Sequence, residues 1–273
     1  MRIARIHGLP LFFGLAFVLS WALWVPLALA RHNLLPLELD PGQLAVLPLL
    51  GTLGPALAAM AVSLLAGGRT GLGALLGQFR RTRVGWRWYA AATMVFPALL
   101  LLAAELYKLL PGAGPLPIQP VSAGSLIATM LILTISVLGE EIGWRGFALP
   151  RLQERRSAAG ASLLLGAIWT AWHLPFWTAL GELERIWVGY WLLSWAYISA
   201  GAVYITWFMN NTGNALLLAF LFHWTYNVLS VGFLPLTSVV PACGIMIVLA
   251  WTLAVALVVR YGAKRLVRAG VVA

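Results

Sequence analysis

Apolar positions run along this chain in long unbroken blocks, not in the single stripes of helices that pack on a water-soluble core. Eight blocks approach the roughly 20 residues that a helix needs to cross a bilayer. They lie at about 9–30, 45–66, 88–110, 124–147, 160–180, 187–209, 214–232 and 239–260. The polar connections between them are short and leave no room for a soluble domain. The pattern therefore predicts one membrane-embedded domain over 1–273, an all-α bundle of about eight transmembrane helices. One connection has a pattern of its own. Leu72, Leu75, Leu76 and Phe79 fall at i, i+3, i+4 and i+7, and Arg80, Arg81, Arg83 and Arg87 follow. That spacing predicts a short amphipathic helix lying in the headgroup plane, its basic end against anionic lipid. A plain connector obeying the positive-inside bias fits the same residues.

Composition agrees with the blocks, since 62% of residues are hydrophobic and only 10% are charged, far from the values of soluble domains. The charges orient the bundle. With the N-terminus in the cytoplasm, the inside collects Arg2, Arg5, Arg69, Arg80, Arg81, Arg83, Arg87, Arg151, Arg155, Arg156, Arg260, Lys264, Arg265 and Arg268, with Arg145 close by. The outside receives Arg31, Lys108 and Arg185. This asymmetry predicts a multi-pass protein with both termini cytoplasmic, and the short loops suit a bacterial or archaeal plasma membrane. The net charge of +10 thus belongs to topology and lipid contact. A nucleic-acid partner is not expected, because no loop is long enough to build a folded basic face. Arg2 and Arg5 before an apolar run ending at Ala28–Ala30 resemble a cleavable signal, but the length of the run and Trp21, Trp24 and Pro26 within it favour a retained first helix. The single Cys243 can form no intrachain disulfide.

Ionisable groups inside the blocks are the candidate chemistry, because each costs on the order of 2.5–3.5 kcal/mol to bury in a bilayer. The fourth block ends in "GEEIGWRG", Gly139 to Gly146, with Glu140, Glu141 and Arg145. The fifth carries His173 within "WTAWHLPFW", and the seventh carries His223 and Asn227. Glu141 and Arg145 are four apart, the favourable order for an ion pair on one helix. Glu140 points about 100° away and is left as the available carboxylate. His223 and Asn227 are also four apart and share a face. Pro175 is expected to loosen the fifth helix beside His173. At about 1.5 Å per residue, His173 and His223 reach the inner half or midplane, near the cytoplasmic end of the fourth helix.

These motifs carry a resemblance. "EEIGWR" resembles the EExxxR motif, "WTAWH" the FxxxH motif and "HWTYN" the HxxxN motif of the CAAX-protease and bacteriocin-processing (CPBP) family of intramembrane proteases, related to the CAAX prenyl endopeptidases. Their order and their placement on the fourth, fifth and seventh of eight spans fit the family. "GTLGPALAA", Gly51 to Ala59, and "NNTGNALLLAFLFH", Asn210 to His223, resemble family segments more weakly. Trp169 departs from the pattern, standing where the family has Phe, and an aromatic for an aromatic removes no chemical role.

The resemblance implies an intramembrane endopeptidase acting on a membrane-associated peptide or protein, with or without a lipid group. By it, Glu140 and His173 are the water-activating pair and His223 and Asn227 the oxyanion stabilisers, with Glu141, Arg145 and Trp169 in support. Hydrolysis needs both a base and oxyanion donors. Two His and one Glu are also a zinc ligand set, so Glu140, His173 and His223 form the alternative metal site. The absence of HExxH, and Asn227 beside His223, favour a mechanism with no cofactor. A noncatalytic membrane partner, such as an immunity protein, and a proton-relay transporter are the readings from other classes. The transporter should show internal repeats with matching broken helices, and the sequence has no such self-similarity.

Overall fold

The computed structural model describes residues 2–38, 40–235 and 239–267, with the helical backbone alone described at 2–7, 41, 42, 44, 45, 182–188, 190 and 231. Arg268 and the side chains of Arg2, Arg5 and Arg185 therefore lie outside the described residues. The apolar blocks fold as helices throughout: α1 Arg2–Arg31, α2 Pro41–Gly51, α3 Gly54–Leu76, α4 Trp86–Lys108, α5 Ala123–Glu141, a π-helix Ile142–Ala148, α6 Leu149–Gln153, α7 Ala158–Trp172, α8 Leu174–Leu180, α9 Glu182–Asn211, α10 Leu216–Gly232 and α11 Val240–Tyr261. The protein is an all-α, multi-pass membrane protein. Among the described residues seven apolar helical segments are long enough to cross a bilayer, and the seventh block, 214–232, supplies a shorter apolar helix over Leu216–Ser230.

Local chemistry sets the helix ends. Asp40 caps α2 through a capping box, accepting from the Gln43 N–H at 2.9 Å while the Gln43 side chain accepts from the Asp40 N–H at 3.0 Å. Ser122 and Ser157 cap α5 and α7 by accepting from the Ser125 and Gly160 amides. Such caps satisfy first-turn N–H donors that have no partner within the helix. Pro175 occupies the first turn of α8, where its missing N–H costs nothing. Its ring ends α7 one residue before His173, so the loosening expected there is a clean break.

One predicted span and the connection after it look different in detail. The second block is interrupted between α2 and α3 at Thr52 and Leu53. The backbone then turns at Gly68, with φ 58° and ψ −151°, so that α3 is two helical pieces across a kink. The 72–79 pattern lies beyond that kink, in helix to Leu76 and then a 3₁₀ turn over Gly77–Arg80. Its apolar face is covered only in part: Leu75 is buried and Leu72 and Phe79 are half-buried, while Leu76 is exposed; the neighbouring Gln78 is buried, and its side-chain amide donates to the Gly146 carbonyl at 2.9 Å. Arg80, Arg81, Arg83 and Arg87 are exposed, and Arg81 reaches the Gly213 carbonyl.

Helix α1 packs on α3, α7 on α9, and α10 on both α4 and α5. At the centre, Phe12, Trp144, Phe147 and Trp172 are fully buried and meet edge to face or tilted, with ring centroids 4.9–5.5 Å apart. This aromatic block packs around the π-helix, which carries Arg145 of the EExxxR-like motif, and the end of α7, which His173 follows.

Candidate active site

The site begins with a change of helix type. Helix α5 ends at Glu141 and the chain continues as a π-helix to Ala148. Such widened turns are rare and concentrate at functional sites. Glycine permits a close approach on either side of the carboxylates. A Cβ at Gly139 would lie 2.6 Å from the Thr52 carbonyl oxygen, and one at Gly143 would collide with the Pro55 ring and backbone. The α2–α3 junction thus presses against the motif, and Glu140, Glu141 and Arg145 are all buried.

The three motifs converge, and the partners are richer than the spacing indicated. Glu141 Oε1 accepts from Arg145 Nη1 at 2.7 Å, the pair anticipated on one helix. The same oxygen lies 2.8 Å from His223 Nδ1, so the brace has three members. The Arg145 guanidinium sits over the face of the Trp169 ring, 4.1 Å from its centroid. Trp169 Nε1 donates to Glu140 Oε2 at 2.7 Å. Glu140 is therefore not the free carboxylate that the helical spacing left without a partner. Trp169 also carries a hydrogen bond that Phe could not make, which corrects the view that the exchange of aromatics is chemically neutral.

Hydrogen-bond partners assign the imidazole protons. His173 Nδ1 lies 2.9 Å from the Trp169 carbonyl oxygen; a carbonyl only accepts, so Nδ1 carries the proton and the neutral ring has its lone pair on Nε2. That lone pair faces Glu140 Oε2 at 3.8 Å. The His173 ring is held in place by aromatic neighbours, nearly parallel to Trp177 at 5.1 Å and to Trp24 at 6.5 Å. His223 is arranged the other way. Its Nδ1–H donates to the Glu141 carboxylate, and its Nε2 accepts from Asn227 Nδ2 at 3.2 Å. The expected donor on the His223 edge is thus capped by the Asn227 amide, which keeps a second N–H of its own.

Beside His223 and Trp169 lies a small, partly open apolar cavity of about 50 Å³, lined also by Phe96, Tyr204, Phe222 and Met246. For the alternative zinc set the fit is poor: His173 Nε2 is available, but both nitrogens of His223 are engaged. Among the described residues no three His, Cys, Asp or Glu side chains are grouped to hold a metal ion.

Residues 120–229 match the family described as Type II CAAX prenyl endopeptidase Rce1-like. The CAAX prenyl protease 2 of Methanococcus maripaludis is 30% identical over 145 residues, covering 49% of this chain and 52% of that protein. The resemblance to the CAAX-protease (CPBP) family is borne out. The chain spans about half the length of the curated relative it matches. All seven site residues, Glu140, Glu141, Arg145, Trp169, His173, His223 and Asn227, fall within the CAAX-protease-like segment, which runs from the approach to α5 into α10.

Proposed function

We propose that the protein is an intramembrane endopeptidase, hydrolysing a peptide bond of a membrane-associated, lipidated substrate with water activated by Glu140 and His173. The observation that carries this reading is the pair of acceptors 3.8 Å apart, Glu140 Oε2 and His173 Nε2. They are too far apart to bond directly and close enough to receive the two protons of one water molecule. A water so held turns its oxygen lone pair toward an incoming carbonyl. As the water oxygen bonds to the carbonyl carbon, one proton passes to Glu140 and the carbonyl electrons move to oxygen. Collapse of that intermediate breaks the C–N bond, and the proton leaves with the amine.

The second N–H of Asn227 is the oxyanion donor nearest this pair in role, and His223, backed by the Glu141 carboxylate, fixes the amide's orientation. The engaged nitrogens of His223 support the metal-free route over the zinc alternative. The apolar cavity beside His223 and Trp169 suits a hydrocarbon group, and the name of the archaeal relative suggests a prenylated C-terminus. On the charge bias, the site opens toward the cytoplasmic side, with both termini on that side.

The test uses purified protein in liposomes and a farnesylated peptide ending in a CAAX sequence, alongside the same peptide unmodified, in water enriched in oxygen-18. Cleavage at a single peptide bond should place one heavy oxygen in the new carboxylate. The farnesylated peptide should be turned over at least about tenfold faster, which burial of only two methylene groups would supply. Failure to cleave either peptide would favour the noncatalytic partner.

A further inference from the structure

We propose that the indole N–H of Trp169 is a positioning donor that holds the Glu140 carboxylate in register with His173. This rests on the proposed roles of Glu140 and His173. The indole nitrogen has one proton and no lone pair to offer, so the 2.7 Å contact to Glu140 Oε2 runs in one direction only. A hydrogen bond to a carboxylate at that length is charge-assisted and among the stronger kinds. The oxygen it seizes is the one that faces His173 Nε2. The contact therefore selects which carboxylate oxygen is presented to His173.

The same residue holds the other half of the pair. The Trp169 carbonyl accepts from His173 Nδ1 at 2.9 Å, which fixes the imidazole tautomer. Trp169 thus grips the carboxylate by its side chain and the imidazole by its backbone. The indole is itself clamped, with Arg145 over its face at 4.1 Å and the His223 ring edge-on at 5.1 Å. A residue able to rotate could satisfy a buried carboxylate, whereas one locked between a guanidinium and an imidazole holds it at a set position. Phe at this place would keep the clamp and lose the grip on Glu140.

The test separates the shape of the indole from its N–H. Replacing Trp169 with 3-benzothienylalanine keeps the bicyclic outline and puts sulfur where the N–H was, and Trp169→Phe removes both the N–H and the second ring. With the farnesylated peptide as probe, both variants should lose about tenfold in kcat with KM within about twofold. The benzothienyl protein should also keep a thermal midpoint close to that of the parent. Full turnover by the benzothienyl protein, with loss confined to Trp169→Phe, would show that only packing matters and overturn the proposal. Glu140→Gln serves as the separate control: if it cleaves at the parent rate, the roles assigned to the pair fall, whatever the Trp169 variants do. The contact is read without turnover in protein carrying nitrogen-15 in its indoles. The resonance lost in Trp169→Phe should move in Glu140→Gln, and an unmoved resonance would also overturn the proposal.

Discussion

Glu141 is the residue on which the buried charges depend. Its Oε1 accepts hydrogen bonds from both Arg145 and His223, and neither Glu141 nor Arg145 is more than 1% exposed. A buried charge that loses its partner costs about 3–5 kcal/mol. Glu141→Gln should therefore lower the thermal midpoint of the detergent-solubilised protein, by about 2–4 °C for each kcal/mol lost, and should release His223 from its fixed tautomer. An unchanged midpoint would show that Arg145 finds another partner. The residue types and their spacing within a helix were legible in the sequence, and Glu141 with Arg145 follows directly from their four-residue separation. The contacts that cross helices were not legible. Glu141 and His223 are 82 positions apart, and Trp169 and Glu140 are 29 apart. Nothing in the local periodicity distinguishes an indole that packs from one that also donates.

At the scale of elements, the helical blocks were readable because lipid demands long apolar runs, and the break at Pro175 because its ring cannot continue α7. The π-helix was not, since Ile142–Ala148 has no composition that favours a five-residue turn over a four-residue one. Its cause is tertiary. The α2–α3 junction presses on Gly139 and Gly143 from outside, and the motif widens where the two segments meet. The fold-back at Gly68 is similar: a glycine with φ 58° looks in sequence like any other small residue in an apolar run. Gly143→Ala should cost about 1–3 kcal/mol by overpacking against Pro55 and should reduce activity by displacing the adjoining carboxylates. A substitution that leaves both the midpoint and the turnover intact would mean that the junction is free to move aside.

Across the whole molecule, three separate parts of the chain bring four polar side chains to one site, with Glu140 and His223 buried and His173 and Asn227 half-buried, while the outer surface stays apolar enough for lipid. Leu65, Leu131, Val248 and Val259 are among the large side chains left exposed, as a bundle facing hydrocarbon requires. Such a scaffold keeps water scarce, so a nucleophile must be held by groups already in place. In the proposed mechanism Glu140 and His173 do that holding with no metal. The direct test is turnover of the farnesylated peptide by Glu140→Gln and parent protein, both stripped with a tight chelator and assayed side by side. The parent should keep most of its rate, and Glu140→Gln should fall by about 10³-fold, within the range that a positioned base contributes. The account would be contradicted by a Glu140→Gln protein working within tenfold of the parent, or by a stripped parent that is inactive until one equivalent of zinc is restored.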